Sequence, residues 1–137
     1  MDIVVLIGRV MFVILFLSSA LGHFTQTPAM AGYARSKGVP MPEWSVRGSG
    51  ALMLLASISI LFGIWADLGS LLLVITLIPT AVMMHNFWKE TDAETRQTET
   101  ISFNKDLALA GASLMLFAFF AHTEELGLTV TGPLFSL

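Results

Sequence analysis

Four apolar runs, separated by two polar segments and one tight turn, make up the chain. The first run is Ile3 to Leu21, broken only by Gly8, Arg9 and the pair Ser18-Ser19. The second goes from about Gly48 to Ala66, the third from about Ser70 to Phe87, and the fourth from about Asn104 to Ala121. A helix needs about 20 mostly apolar residues to cross the hydrocarbon core of a bilayer. The pattern therefore predicts transmembrane helices over 3–21, 48–66, 70–87 and 104–121. A cleaved signal peptide is the competing reading of the first run. No basic segment precedes it and its apolar stretch is long for a signal, so it is read as a retained span.

The polar segments carry local signals of their own. Thr27-Pro28 reads as an N-cap followed by proline at the first helical position, and Gly38 followed by Pro40 reads as a stop. The stretch Ala29 to Lys37 is thus expected to be a short interfacial helix, with Trp44 at head-group level on the way back to the membrane. Asp67-Leu68-Gly69 reads as a tight turn, which makes the second and third spans an antiparallel hairpin. Thr91 and Glu94 fit a capping box, predicting a short surface helix to about Thr100. Pro79 leaves the Ile75 carbonyl without its helical donor, and a kink is expected there. Small residues are dense along the second run (Gly50, Ala56, Ser57, Ser59, Gly63) and allow close helix approach in lipid. The expected fold is an all-α membrane protein, a single domain over 1–137 with four spans in an antiparallel bundle.

Composition agrees with that layout. Of 137 residues, 55% are hydrophobic and only 12% charged, against about 25% charged in a typical soluble domain. The absence of cysteine excludes disulfides, thiolate nucleophiles and thiolate metal sites within this chain. No clustered basic face suggests nucleic acid. Four spans put both termini and the 2–3 turn on one side, and the two polar loops on the other. The loop side carries Arg35, Lys37, Arg47, Lys89, Arg96 and Lys105, so the positive-inside rule places the loops in the cytoplasm and both termini outside.

Candidate chemistry gathers at the loop side. His23 ends the first span, Arg47 starts the second, His85 and Asn86 end the third, and Asn104, Lys105 and Asp106 start the fourth. Trp88 and Lys89 follow directly, and His85 and Lys89 share a helix face. These nine residues form the candidate ligand-binding set, centred on His85. Interfacial anchoring is the plainer explanation for each one alone, since helix ends tolerate histidine, tryptophan and lysine. Haem held by His23 and His85 is disfavoured because two helix-end histidines are a weak signal. Zinc is disfavoured because no spacing supplies four ligands. No catalytic residue is assigned. Arg9, a charge inside a span, is expected to pair with Asp67 or with an acidic tail residue, Glu124 or Glu125, in a structural role.

Several phrases resemble the DoxX family: Gly8-Arg9 within the first run, the stretch Met30 to Pro40, Met84-His85-Asn86-Phe87-Trp88, and Phe103 to Gly111. The resemblance covers nearly the whole chain. Many relatives read Lys-Asn where this chain has Lys105-Asp106. The resemblance implies a small four-helix protein of the bacterial cytoplasmic membrane, related to the membrane subunit of a thiosulfate:quinone oxidoreductase. The first expectation is an accessory or structural subunit of a membrane redox or respiratory assembly, without catalytic activity of its own, holding a quinone or lipid near His85. The alternatives are a quinone-reactive oxidoreductase subunit, with His85 relaying a proton, and a small-molecule or lipid carrier hinged at Pro79.

Overall fold

The computed structural model describes residues 1–123 and 125–137. Five α-helices follow in order: α1 (Asp2–Thr25), α2 (Thr27–Ser36), α3 (Pro42–Phe62), α4 (Ala66–Met84) and α5 (Ala93–His122), with a single 3-10 turn at Phe87–Lys89 before α5. No strand occurs among the described residues. Helices α1, α3, α4 and α5 are long and apolar enough to cross a membrane. Helix α1 packs on α3, α3 on α4, and α4 on α5, while α2 folds back against α3.

Each span buries one stripe and leaves the rest of its apolar surface outward. On α1 the buried stripe is Arg9, Val13, Phe16 and Ala20, at the three-and-four spacing of one helix face. Phe16, Ile60 and Leu73 are among the largest fully buried side chains, and they meet Met53, Leu77 and Phe120 in one core. Met11, Leu55, Ile75 and Met115 point outward, where lipid rather than water suits them. Small residues set the helix spacing. A Cβ on Gly50 would come within 2.7 Å of His23 Cβ on α1, and one on Gly69 would strike the Ser59 side chain across the α3–α4 hairpin.

The helices differ from the sequence expectation mainly at their ends. Helix α3 begins at Pro42 rather than near Gly48, because proline is pre-organised for the first turn and Glu43 suits its partial positive charge. Trp44 is therefore inside the helix. The turn between α3 and α4 is Gly63–Trp65, not Asp67–Gly69. Gly63 (φ +63°) takes the left-handed conformation that ends a helix, the Ile64 amide returns to the Ser59 carbonyl at 2.9 Å, and Trp65 (φ +47°) precedes α4. Asp67 falls in the first turn of α4. Thr27 does not cap α2; its hydroxyl donates to the His23 carbonyl at 2.6 Å. In the second loop the cap is Asp92, one residue later than expected. Its carboxylate accepts the Thr95 amide at 2.8 Å and the Thr95 hydroxyl at 2.7 Å. A carboxylate at a helix N-terminus outcompetes a neighbouring hydroxyl, and the Thr95 amide holds the Asp92 carboxyl below its usual range. No separate surface helix precedes the fourth span: α5 runs unbroken from Ala93. Pro79 lies within α4, which continues to Met84.

The tail returns over the α3–α4 turn. The Val130 amide donates to the Phe62 carbonyl at 3.1 Å, the Thr131 amide to the Gly63 carbonyl at 3.0 Å, and the Trp65 amide to Thr131 Oγ1 at 2.8 Å.

Gly63 is the tightest point of this contact, since an added Cβ would lie 2.5 Å from Thr129 Cβ at a backbone angle that side chains avoid. Gly63→Ala is expected to lower stability by roughly 1–3 kcal/mol. Gly111→Ala, which meets nothing within 4 Å, is expected to be neutral or slightly stabilising. Thermal unfolding of both variants in detergent checks the contrast; equal melting temperatures would contradict it.

Candidate functional site

The loop side holds a cluster of polar side chains that lean inward rather than toward water. It is assembled by three segments. The end of α4 supplies His85, and Asn86 follows in the link to the 3-10 turn. The first third of α5 supplies Glu99 and Asp106. The α2 helix and the residue after it supply Tyr33 and Lys37, with Glu90 from the loop before α5. Burial of Ala31, Ala34 and Val46 against each other seats α2 on α3 and so brings Tyr33 and Lys37 over the end of α4.

His85 occupies the centre. Its Nδ1 lies 2.8 Å from Glu99 Oε2, and its Nε2 lies 3.6 Å from Asp106 Oδ2. An ionised carboxylate only accepts, so the Glu99 contact puts a proton on Nδ1. The other Glu99 oxygen accepts the Tyr33 hydroxyl. Lys37 closes the cluster: its Nζ is 2.6 Å from Glu90 Oε1, 3.2 Å from Asn86 Oδ1 and 3.6 Å from Glu99 Oε1, and it lies 5.4 Å from the centroid of the Tyr33 ring. Glu99, Asp106 and Asn86 are 7%, 6% and 6% exposed. At that burial an unpaired carboxylate would cost several kcal/mol, so the partners of Glu99 are what make its position tenable.

The electrostatics follow from these contacts. Three carboxylates (Glu90, Glu99, Asp106) face one fixed cation, Lys37, and one imidazole. Burial works against the charged form of Lys37, but the Glu90 hydrogen bond and the neighbouring Tyr33 and Glu99 outweigh it and raise its pKa above the ordinary lysine value. Burial, then the hydrogen bond to Glu99 and its negative charge, push the Tyr33 hydroxyl up as well.

Of the nine residues expected at this mouth, the structure brings His85, Asn86 and Asp106 into one cluster. Trp88 sits beside it on an aromatic shelf, its ring edge-on to Phe87 at 5.2 Å and to Phe103 at 5.8 Å between centroids. Arg47, Lys89, Asn104 and Lys105 are exposed and make none of the cluster's hydrogen bonds. His23 stays with its own helix, its Nδ1 2.7 Å from the Ser19 carbonyl. Among the described residues, no group of three or more His, Asp or Glu side chains is arranged to hold a metal ion.

Tyr33, Lys37, Glu90 and Glu99 were not singled out from the sequence. A signal for Glu99 was present. Glu99, Asp106, Ser113 and Phe120 recur every seven residues and are all buried on α5. Dividing this region into a surface helix and a later span hides that period, because Glu99 then falls in the loop.

At the opposite end the expected pairing of Arg9 with Asp67 does not form. Arg9 and Asp67 are both buried, at 3% and 0% exposure, but no ion pair joins them. Arg9 Nη2 donates to the Leu128 carbonyl at 2.6 Å. The Asp67 carboxylate instead accepts the Leu134 amide at 3.1 Å and the Phe135 amide at 2.6 Å. Glu125 is exposed, and Glu124 lies outside the described residues. The tail outcompetes the arginine because two backbone amides, otherwise unsatisfied at the bundle end, converge on one carboxylate. Such charge-assisted bonds contribute about 1.5–3 kcal/mol each.

A family model described as DoxX matches residues 4–86, which is more than half of the chain and ends before α5. No curated protein and no solved structure matches the chain.

Because the folded-state pKa of Lys37 is raised, its stabilising contribution is complete below the ordinary value of 10.5 and is lost as pH rises through the higher folded value. The raised Tyr33 value acts in the same alkaline window, above 10.0. Stability in detergent is therefore expected to fall as pH rises past about 10, and Lys37→Met is expected to flatten that fall while lowering stability at neutral pH. A variant with the alkaline fall of the parent protein would show that Lys37 does not hold the cluster.

Proposed function

The chain belongs to the DoxX family, and from that membership, together with the cluster around His85, we propose that it is an accessory membrane subunit of a redox or respiratory assembly. In this reading it lies in the bacterial cytoplasmic membrane, with the two polar loops in the cytoplasm and both termini outside. The excess of Lys and Arg on the loop side supports that orientation.

One observation carries the reading of the site: a single imidazole spans two carboxylates at different depths on α5. Glu99 and Asp106 are seven residues apart, about 10 Å along the helix, and His85 faces both. An imidazole in that position takes a proton at one nitrogen and releases one at the other. His85 therefore passes protons between Glu99, next to the loop surface, and Asp106, at the edge of the apolar bundle. Lys37 and Tyr33 keep Glu99 aimed at the ring. Proton delivery to a membrane depth where water is scarce is what a quinone-linked assembly needs, because quinone reduction takes up protons along with electrons. The exposed ring of Trp88, set edge-on against Phe87 and Phe103, offers an apolar face to a quinone ring or lipid chain beside Asn86.

That face also favours a second reading, a quinone-reactive oxidoreductase subunit in which His85 hydrogen-bonds the quinone carbonyl directly. The two readings differ in where the quinone sits relative to His85.

Native purification in mild detergent, followed by identification of bound chains and quinones, tests the first reading; a dehydrogenase or oxidase complex is expected to copurify. In that complex His85→Ala is expected to lower quinone-linked turnover by roughly 100-fold and to flatten its pH profile, with exposed Thr98→Ala as an unchanged control. Unaltered turnover in His85→Ala would sink the relay. A loss of bound quinone with it would favour direct contact.

A further inference from the structure

The end of the bundle away from His85 contains a buried charge that the described residues satisfy at one nitrogen only. Arg9 is 3% exposed, and one of its three guanidinium nitrogens donates to the Leu128 carbonyl. Its Nε and Nη1 have no hydrogen-bond partner among the described residues. A guanidinium always carries its charge and presents five donors in a plane. Leaving two of its nitrogens dry is costly, and such a residue within a span marks a polar ligand or pathway more often than an ornament.

What covers Arg9 is the tail, which has no helix or strand of its own and is held over the α3–α4 turn by the Val130, Thr131 and Trp65 hydrogen bonds. Leu128, the residue over Arg9, has the left-handed backbone angle φ +59° that non-glycine residues avoid. Further along, the tail is pinned by the Asp67 carboxylate at Leu134 and Phe135. Between these two points it bridges a cavity of about 20 Å³ lined by Ala66, Phe120, Leu126 and Thr131 among others, so it does not pack down fully. A strap without secondary structure, with a left-handed residue at one anchor and a void beneath it, opens more readily than the helices it covers.

We propose that residues 125–137 form a displaceable strap over a binding site for phosphate oxygens, with Arg9 as the recognition group. The open strap frees Nε and Nη1 to donate to a ligand oxygen, and the guanidinium gains hydrogen-bond partners it does not have among the described residues. Phosphate oxygens fit because they are anionic, accept several hydrogen bonds at once and are a preferred partner of arginine. Arg9 lies seven residues into α1 from Asp2, about 10 Å from that helix end, within reach of a phospholipid headgroup once the strap lifts. Free phosphate from the aqueous side offers the same chemistry. Asp67 is the latch: its carboxylate holds the Leu134 and Phe135 amides while the strap is closed.

The chain contains no cysteine, so one introduced thiol reports cleanly. Ala66 is 5% exposed and lies under the strap. The labelling rate of Ala66→Cys is measured for the full chain in maltoside micelles, with no addition, with inorganic phosphate, and with a short-chain phosphatidylglycerol. Labelling is expected to rise about tenfold with at least one phosphate-bearing addition. A rise with phosphatidylglycerol alone assigns the site to a lipid headgroup, and a rise with inorganic phosphate assigns it to the free anion. Both rises are expected to vanish in Arg9→Gln and to persist in part in Arg9→Lys, which also guards against misfolding of the glutamine variant. Asp67→Asn is expected to raise labelling without any ligand. Labelling that no addition changes, or that rises equally in Arg9→Gln, overturns the proposal.

Discussion

The Glu99 carboxylate is the group on which the loop side of this bundle depends. One oxygen takes the Tyr33 hydroxyl and the other faces His85, while Lys37 stands 3.6 Å away. Three chain segments, far apart in sequence, are therefore tied to one buried anion. The anion is stable there because those donors converge, and Tyr33 ties α2, already seated on α3 by Ala31, Ala34 and Val46, to the end of the bundle. Removing the carboxylate would free α2 from its polar anchor; removing the donors would leave a charge buried at 7% exposure. The dependence runs in both directions, which is why the cluster behaves as a unit.

The far end solves the same problem differently. Bilayer-spanning helices must end in surroundings that satisfy their polar groups. At the loop side the answer is side chain to side chain. At the termini side it is side chain to backbone: Asp67 collects two amides of the tail, and the Gly63 carbonyl accepts another. The apolar middle then needs little beyond shape. Small residues such as Gly50 and Gly69 bring backbones together, and Phe16, Ile60, Leu73 and Phe120 fill the space between. Chemistry is thereby confined to the two ends.

The fold was largely legible in the chain. Four apolar runs became four spans, because runs of that length and composition have one stable arrangement in lipid. Helix ends were less legible, since several residues at each boundary compete for the same role. Thr91 and Asp92 both cap well, and the carboxylate prevailed. Gly63 and Gly69 both suit turns, and Gly63, which takes the left-handed angle, became the turn, while Gly69 served close packing. The site was half legible. His85, Asn86 and Asp106 were visible as polar residues at span ends on one side. Lys37 and Glu99 were not, because each looks like an ordinary solvated loop charge until the loop is folded over the helix ends.

What the sequence by itself determined was topology: the number of spans, the side on which each polar residue emerges, and the depth of Arg9. These follow from one-dimensional quantities, hydropathy and helix rise, which need no knowledge of neighbours. What only the tertiary structure decided was pairing. Arg9 and Asp67 share a side and opposite charges, yet the tail separates them by offering each a backbone partner. His23 and His85 share a side and a ring, yet one stays with its own helix and the other lies between two carboxylates. Pairing depends on the azimuth at which each helix presents its residues and on which loop folds over which end, and both are settled by the packing of all the helices together.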